Sequence, residues 1–367
     1  MAITSYGVND ALAVKLWARE LNREVRKGLT IAPLIGTGTG SIVQEKTEFK
    51  GKGDQITVGL RMQLRGAGRT ENEVLEGNEE SLTTYSDQFF INELVHAVRV
   101  KGEDTIDVQR VHHNLRDEAR DALGDWYMDR LSLWFFLQMS GYTGNSITYR
   151  GVSTPLSAVY RGNNTITAPS TNRKILATGS DDQTVNAATT ATFSLELIDY
   201  AKERAMLANP KIRPIKINGE DKYVIYLHPT QVTDLRTSTS TGQWLDIQKA
   251  AMMGGKVSGN PIYTGALGEY NGVIIRQSED VVTGVHSSTG AEQSNTRRAL
   301  FLGAQAGFIG FSSKFSKNSP YKWVEKTFDY ERELGVSTQG LMGMKKAVFN
   351  GEDFGVITVS TYAATHG

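Results

Sequence analysis

The sequence predicts an α+β fold, and three features of the chain lead to this prediction. Residues 56–65 alternate strictly between apolar and polar side chains, which is the pattern of a β-strand with one buried face. Residues 107–139 keep a helical spacing of apolar side chains, which predicts one long helix. The remainder mixes short helical and strand-like segments without an internal repeat, so the predicted order is a helix, a long hairpin, a long helix and a mixed body.

Length, charge and cysteine content limit the classes of protein to which the chain can belong. Its 367 residues, 39% of them hydrophobic, are enough for two or three domains or one large elaborated fold. Forty basic residues balance forty acidic ones, which argues against binding of nucleic acid or anionic membranes through overall charge. The absence of cysteine excludes thiol nucleophiles, thiolate metal sites and disulfides. No segment reaches the roughly 18 apolar residues of a membrane span, and the N-terminus lacks a signal-peptide pattern, so we expect a soluble chain made in the cytoplasm.

The first predicted element is a helix over residues 9–27. Its apolar side chains Val14, Leu21 and Val25 recur at helical spacing, and Gly28 provides the end. The other face mixes basic and acidic side chains, which is typical of a solvated surface.

A long hairpin follows this helix. The predicted second strand is residues 87–100, and a polar segment that contains glycine separates it from the first strand. A two-stranded hairpin is marginally stable alone, and no neighbouring segment of the sequence is an obvious cover for its apolar face. We therefore predict contacts with a neighbouring subunit for the five apolar side chains of the first strand, which are Ile56, Val58, Leu60, Met62 and Leu64.

The long helix would measure roughly 50 Å, far beyond the mean globular helix of about 11 to 12 residues. Its apolar side is formed by Trp126, Leu131, Trp134 and Phe135. A helix of this length usually serves as the spine of a fold.

The remaining residues predict a mixed α+β body. Residues 141–192 are rich in Thr, Ser, Asn and Gly and predict strands and loops. A helix is predicted from Phe193 to Asn209, and "KYVIYL" predicts a buried strand that turns at Pro229 into a second helix. Residues 243–253 predict a third helix, and further strands are predicted in "NGVIIRQ", "RALFLGAQAGFIGFS", "VEKTFDYEREL" and "FGVITVSTYAA".

Two glycine-rich stretches do not match the motifs of phosphate-binding loops. "GTGTGS" at residues 36–41 lacks the spacing of a dinucleotide-binding motif, and "GGKVS" at residues 254–258 lacks the first glycine and the final Ser or Thr of a P-loop. Both stretches are therefore interpreted as turns or hinges.

The histidines do not combine into a metal or nucleophile site. His112 and His113 point about 100° apart on a helix, and His113 with Asp117 is the only pair at a good ligand spacing. Two ligands do not make a site. His228, which precedes Pro229, is interpreted as a strand-end residue that is hydrogen-bonded in a turn.

Three carboxylates near the C-terminus, Asp329, Glu331 and Glu333, could form a cluster on one strand face. Ion pairs on the surface explain them better, because no cleft for a carbohydrate substrate can be identified. The sequence thus predicts no catalytic, cofactor-binding or metal-binding residue, and no enzyme.

The layout resembles the major capsid proteins of tailed double-stranded DNA bacteriophages, which share the Hong Kong 97-type fold. Blocks spread over nearly the whole chain are similar to the coat proteins of phages related to the enterobacterial phage N-four. These blocks are "GDQITVGLRMQLRGAGRT", "VLEGNEESLTTYS", "INELVHAV", "YVIYLHPTQVTDLR" and "GALGEYNGVIIRQSEDV". Their occurrence together and in order is more specific than any one of them.

The resemblance implies a division of the chain into five segments. It implies an arm that extends across the adjacent subunit, a peripheral domain that contains the spine helix, and an axial domain around the hexamer or pentamer axis. The segments are the N-terminal arm at residues 1–35, the E-loop (extended β-hairpin) at 36–105, the P domain with its spine helix and an insertion left open at 106–192, the A domain at 193–310, and a return to the P domain at 311–367.

The resemblance also implies function and partners. Copies of the chain would self-assemble into hexamers and pentamers of an icosahedral head shell that encloses the double-stranded DNA genome. Implied partners are other copies of the chain, portal and scaffolding proteins, and packaged DNA by non-specific proximity, with decoration proteins left open and no membrane. The chain would assemble in the host cytoplasm and reside in the virion without a cofactor. Some families of this fold cross-link a lysine to an asparagine of the neighbouring subunit, but no motif marks Lys50 or Lys52 for this reaction.

Two alternatives remain open at this point. An encapsulin-like shell of the same fold would enclose enzyme cargo instead of DNA. A soluble metal- or carboxylate-dependent hydrolase would depend on His113, Asp117 and the acids from Asp329 to Glu333.

Overall fold

The computed structural model describes most of the chain. The described residues are 20–22, 24–25, 29–47, 55–60, 66–80, 85–101, 115–217, 219–238, 268–312, 320–330 and 332–366. Several predictions lie outside these ranges: most of the first helix, the helix at 243–253, the stretch at 254–258, the start of the spine helix, and Lys50, Lys52, Met62, Leu64, His112, His113 and Glu331.

The α-helices whose bounds are described lie between residues 115 and 237, and runs of strands precede and follow them. The α-helices are α1 (Leu115–Ser140), α2 (Leu156–Val159), α3 (Asp182–Ala187), α4 (Leu195–Leu207) and α5 (Pro229–Thr237). The strands are β1 (Ile35–Gly36), β2 (Val43–Lys46), β3 (Gln55–Leu60), β4 (Tyr85–Phe90), β5 (Asn92–Lys101), β6 (Ser146–Tyr149), β7 (Val152–Pro155), β8 (Lys174–Leu176), β9 (Ile215–Ile217), β10 (Glu220–Leu227), β11 (Glu269–Tyr270), β12 (Val273–Gln277), β13 (Thr283–Val285), β14 (Glu292–Leu302), β15 (Gly307–Phe311), β16 (Tyr321–Phe328), β17 (Glu333–Lys346), β18 (Val348–Phe349), β19 (Glu352–Asp353) and β20 (Val356–Tyr362). None of the described helices is long and apolar enough to cross a membrane.

The spine helix α1 is the centre of the fold. It has 26 residues, and residues 131–140 at its C-terminal end are all buried. The predicted spine is confirmed for this part of the chain. The hydroxyl of Tyr127 donates a hydrogen bond shared between the carbonyls of Leu94 and Thr338, at 2.9 Å from each, and so ties the helix to the first sheet.

The first sheet has six strands in the order β1-β2-β15-β17-β16, with β5 paired to the other side of β17. Its longest strand, β17, pairs antiparallel with β5, β15 and β16. Alternate residues of β17 are buried, and Val336 packs with Leu123 of the spine and Trp323 of β16. The sheet therefore has one face on the spine and one outer face.

The second sheet has eight strands, with the path β11-β12-β10-β14-β20-β8 and with β9 and β13 at its sides. It is buried on both faces, because Val224 and Tyr226 of β10 join the core around the spine while Ile225 packs with α4 and α5. This explains why "KYVIYL" lacks alternation, and the buried strand predicted there is confirmed.

Strands at residues 174–176 and 356–362 lie in this second sheet beside strands from residues 215–302. The sheet therefore collects residues from three of the five predicted segments. The segment boundaries themselves stay a prediction.

The hairpin differs from its prediction. Strands β3 and β4 pair antiparallel from Gln55 opposite Phe90 to Leu60 opposite Tyr85, as predicted, but β5 pairs with β17 instead. The prediction of one strand over residues 87–100 is wrong, because the strand is interrupted between Phe90 and Asn92. At this point the Asn164 side chain takes both backbone hydrogen-bonding groups of Phe90. Its Oδ1 accepts from the Phe90 N–H at 2.7 Å and its Nδ2 donates to the Phe90 carbonyl at 2.8 Å.

The apolar face of β3 is covered by its own subunit. Ile56, Val58 and Leu60 are 8%, 1% and 5% exposed and pack in a cluster with Phe308 and Phe354. The sequence did not identify this cover, so the reason to expect a neighbouring subunit no longer holds at these three residues, although the subunit contact itself stays a prediction. Phe308 and Phe354 lie roughly 250 to 300 residues further along the chain, and local sequence patterns do not reveal contacts over such a separation.

Candidate functional site

The described residues do not form a metal site. No group of three or more His, Cys, Asp or Glu side chains is placed to hold a metal ion within the described ranges. Two surface clefts of about 930 and 300 Å³ have linings that mix acidic and basic side chains without a histidine. Neither cleft therefore offers an acid-base pair centred on histidine.

His228 occupies the turn that the sequence predicted. It caps the N-terminus of α5: its Nδ1 accepts from the Thr230 N–H at 3.3 Å, and its own N–H donates to Oε1 of Gln231 at 2.9 Å. Burial, with a smaller contribution from the nearby Arg297, lowers the pKa of His228 to about 3. The ring is thus neutral at pH 7 and serves as a helix cap.

Two of the three C-terminal acids, Asp329 and Glu333, form surface ion pairs, as the sequence indicated. Glu333 binds Arg99 and Lys101 of the neighbouring strand β5, with 2.9 Å from its Oε1 to Nζ of Lys101. Asp329 lies 4.0 Å from the guanidinium of Arg332. Hydrogen bonding from Lys101 and the charges of both partners lower the pKa of Glu333, so this carboxylate is ionised and paired.

A buried ionic cluster, which the sequence did not indicate, joins the spine to the second sheet. Asp182, fully buried at the start of α3, lies 2.6 Å from Nη2 of Arg298 and 3.0 Å from Nζ of Lys174. Arg298 also donates to the carbonyls of Ser140 and Gly141 at the end of the spine. Burial opposes the charged form of Asp182, but Arg298, Lys174 and a backbone N–H outweigh it and lower its pKa.

A second buried pair joins the end of β17 to β19. Nζ of Lys346 is 2.7 Å from Oδ1 of Asp353, with side chains only 1% and 3% exposed. Arg173, also fully buried, donates to the carbonyl of Asp353 at 3.0 Å. No local signal marks these residues as buried, because charged side chains are normally exposed.

The base of the hairpin is fixed to the subunit by polar contacts as well as by the apolar cluster. Nζ of Lys345 is 2.5 Å from Oδ1 of Asp87 and donates to the carbonyl of Gln88 at 2.7 Å. The other oxygen of Asp87 accepts from the N–H of Val348. The hairpin thus leaves the body from a fixed base.

The arm tip, which we define as residues 66–80, is exposed at every position. It carries five glutamates against one arginine, for a net charge of −4. Val74 and Leu75 are 68% and 61% exposed, which is unusual for adjacent apolar side chains. Such a segment has the surface chemistry of a contact site.

Internal hydrogen bonds give the arm tip a defined shape. The Gly66 N–H donates to Glu80 at 2.6 Å, and the guanidinium of Arg69 donates to Asn78 at 2.8 Å. The side chain of Asn78 in turn donates to the carbonyl of Val74 at 3.1 Å. A segment ordered before contact loses less conformational entropy when it binds.

The outer face of the first sheet is the second exposed surface. We define it as the side chains of β5, β17 and β16 that point away from the spine. Opposite residues in the strand register share this face, and they are exposed or half-buried: Glu93, Val95, Ala97, Arg99 and Lys101 of β5; Glu333, Gly335, Ser337, Gln339 and Leu341 of β17; Lys322, Val324, Lys326 and Phe328 of β16.

The chain is similar to known proteins over nearly its whole length. A family model described as "Phage capsid protein" matches residues 5–365. The major capsid protein of Pseudomonas phage KPP25 is 29% identical, over 94% of this chain and 93% of that protein.

Solved structures give the same result for the architecture. The capsid of Ralstonia phage GP4 is 31% identical and superposes with a TM-score of 0.77, over 100% of both chains. The capsid protein of cyanophage Pam1 is 20% identical, with a TM-score of 0.68 over 100% of this chain and 95% of that chain, and this likeness concerns the fold alone.

Proposed function

The chain belongs to the phage capsid protein family, and from this premise we propose that copies of it build the head shell as hexamers and pentamers around packaged double-stranded DNA. It is a major capsid protein of a tailed phage, a structural part of the virion, with a fold of the Hong Kong 97 type. The match of the family model to residues 5–365 carries this conclusion.

Self-association is the activity that follows from this role. A shell subunit needs several modest contacts, because weak interfaces let wrong placements dissociate while closure of the shell multiplies the correct ones. A net charge of zero supports dense packing, because it limits repulsion between subunits. Portal and scaffolding proteins are further proposed partners, and the chain is proposed to have no enzymatic activity.

The hairpin is the proposed E-loop that extends across an adjacent subunit. Ile56, Val58 and Leu60 hold its base on the subunit of origin, since they are at most 8% exposed. Met62 and Leu64, which lie outside the described residues, remain proposed contacts with the neighbour. Because the base of the hairpin is held by the subunit of origin, the exposed arm tip can extend to another copy.

The two alternative functions have less support. The hydrolase would need free carboxylates, whereas Glu333 is held by Arg99 and Lys101. The encapsulin-like shell shares the fold, but the matched family and the curated relative are phage capsid proteins.

Electron microscopy of the purified full-length protein, and of particles from its source, tests the proposed function. We expect closed shells or partial lattices of hexamers and pentamers, with DNA in the source particles. A protein that stays monomeric at high concentration in every condition, without rings, sheets or shells, would contradict self-assembly. Packaged enzyme in place of DNA would support the encapsulin-like alternative.

A further inference from the structure

Lys346 and Asp353 form a buried pair at the two ends of the short hairpin that consists of β18 and β19. Nζ of Lys346 lies 2.7 Å from Oδ1 of Asp353, and the two side chains are only 1% and 3% exposed. The next residues inward and outward, Ala347 and Phe354, belong to the apolar cluster that holds β3. The amine and the carboxyl group therefore meet in a site that is shielded from bulk water.

This site favours the uncharged forms of both groups. Burial lowers the pKa of the Lys346 amine and raises the pKa of the Asp353 carboxyl group, because an apolar environment penalises a charge on either of them. Transfer of one proton from Nζ to the carboxylate converts the ion pair into an amine beside a carboxylic acid. The neutral amine has the free electron pair of a nucleophile, and a carboxylic acid is a better electrophile than a carboxylate.

Hydrogen bonds hold both groups in place. Nζ of Lys346 donates to the carbonyl of Thr167 at 3.0 Å, and the N–H of Ser170 donates to Oδ2 of Asp353 at 3.3 Å. The buried Arg173 donates to the backbone carbonyl of Asp353 at 3.0 Å. Because Cγ of Asp353 is one covalent bond beyond Oδ1, the amine is held beside the carbon that it can attack. Such fixed proximity replaces the encounter of two separate molecules and favours reaction.

Two other lysine–aspartate pairs of the described chain lack this combination. Nζ of Lys174 lies 3.0 Å from Oδ1 of Asp182, but a second cation also binds that carboxylate, and the lowered pKa of Asp182 keeps it charged. The side chains of Lys345 and Asp87 are 22% and 11% exposed, so water reaches both. The pair at the ends of the short hairpin is therefore the one in which burial favours an amine beside a carboxylic acid.

We propose that Lys346 and Asp353 condense into an amide bond within one subunit. Nζ bonds to Cγ of Asp353, and the hydroxyl group of the carboxylic acid leaves with one proton of the amine as water. No electrons are transferred, so the reaction needs no oxidant, reductant or further reactant. The bond closes a ring that contains Val348, whose N–H donates to Asp87 at the base of the arm, and so it fixes the anchor of the arm. The reaction requires only the folded subunit and does not depend on the proposed function.

Mass spectrometry of tryptic peptides from the folded full-length protein tests the proposal. Residues 347–367 contain no lysine or arginine, so cleavage after a free Lys346 releases this C-terminal segment. Trypsin does not cleave after a lysine whose amine is acylated. We therefore expect the peptide 346–367 as the predominant form, lighter by one water molecule than its sequence requires, with fragment ions that join Lys346 to Asp353. Detection of the unmodified peptides alone, after incubation of the folded protein, overturns the proposal.

Variants distinguish this bond from a loss of water elsewhere in the chain. Lys346→Met combined with Asp353→Leu replaces the pair by apolar side chains of similar size, which buried pairs often tolerate, and its intact mass should equal that of its sequence. Lys345→Arg, the matched control one residue away, should still lose one water molecule. Loss of water in the double variant overturns the proposal. Circular dichroism checks folding, and if the double variant does not fold, the peptides of the unaltered protein and of the control decide.

Discussion

At the scale of single residues, burial and local hydrogen bonds decide the charge of the ionisable groups. His228 is neutral because protonation would cost solvation and would remove the Nδ1 acceptor that caps α5. Asp182 is charged because Arg298 and Lys174 compensate its burial. Because the pKa of each group is lowered in the folded state, both groups make the folded state less stable as the pH falls.

The pH dependence of stability follows from His228. Its pKa is about 3 when folded and about 6.5 when unfolded, so only the unfolded state binds a proton between these values. Stability is therefore lost as the pH falls from 6.5 towards 3. His228→Asn keeps a side chain that can cap the helix but does not titrate. Between pH 7 and pH 5, the free energy of unfolding should therefore fall by about 2 kcal/mol more in the unaltered protein than in the variant.

Urea unfolding of the unassembled subunit at pH 7, 6 and 5 measures this difference. Both proteins share all other titratable groups, so the difference between their stabilities isolates His228. Parallel stability curves for the two proteins would mean that His228 titrates normally in the folded state.

At the scale of secondary-structure elements, the hairpin has two parts with different roles. The paired strands β3 and β4 form a base that is buried in the cluster with Phe308 and Phe354 and anchored through Asp87. The arm tip beyond them is exposed throughout. The base therefore belongs energetically to the subunit core, whereas the tip is available for contact.

Substitution of neighbouring residues in β3 separates these roles. Val58 is 1% exposed, and Thr57 beside it points to the solvent side of the strand. Val58→Asp should detach the base, because a carboxylate cannot be buried in an apolar cluster without a partner. We expect hydrogen exchange of residues 55–60 and 85–90 to become at least about tenfold faster. Thr57→Asp, the matched control, should leave exchange unchanged, and equal effects of the two would contradict burial of this face within the subunit.

Elements with a clear local pattern were predictable from the sequence. The helix α4 followed from its apolar spacing, and the buried strand β10 followed from an apolar run that ends before Pro229; both are confirmed. The break between β4 and β5 was not predictable, since it depends on Asn164, 74 residues further along the chain. The pairing of Asp182 with Arg298 spans 116 residues and was missed for the same reason. Long-range contacts leave no periodic signal in the sequence.

At the scale of the whole molecule, the spine helix unites the two sheets. One core cluster contains Met342 of the first sheet, Tyr226 of the second sheet and Phe136 of the spine between them. The ring of Phe136 meets that of Tyr226 edge to face at 5.5 Å between centroids. Because the two sheets share this core, the subunit should respond to lattice forces as one body and not as separate sheets.

Removal of one spine side chain tests this coupling. Phe136 is fully buried, and Phe136→Ala should cost about 3 to 5 kcal/mol of the free energy of unfolding. We expect hydrogen exchange to rise by a similar factor in β10 and in β17, which belong to different sheets. Asp125→Ala, at an exposed position of the same helix, should leave both unchanged. Faster exchange in β10 alone would show that the sheets unfold independently, and the spine would then be a shared boundary and not a shared core.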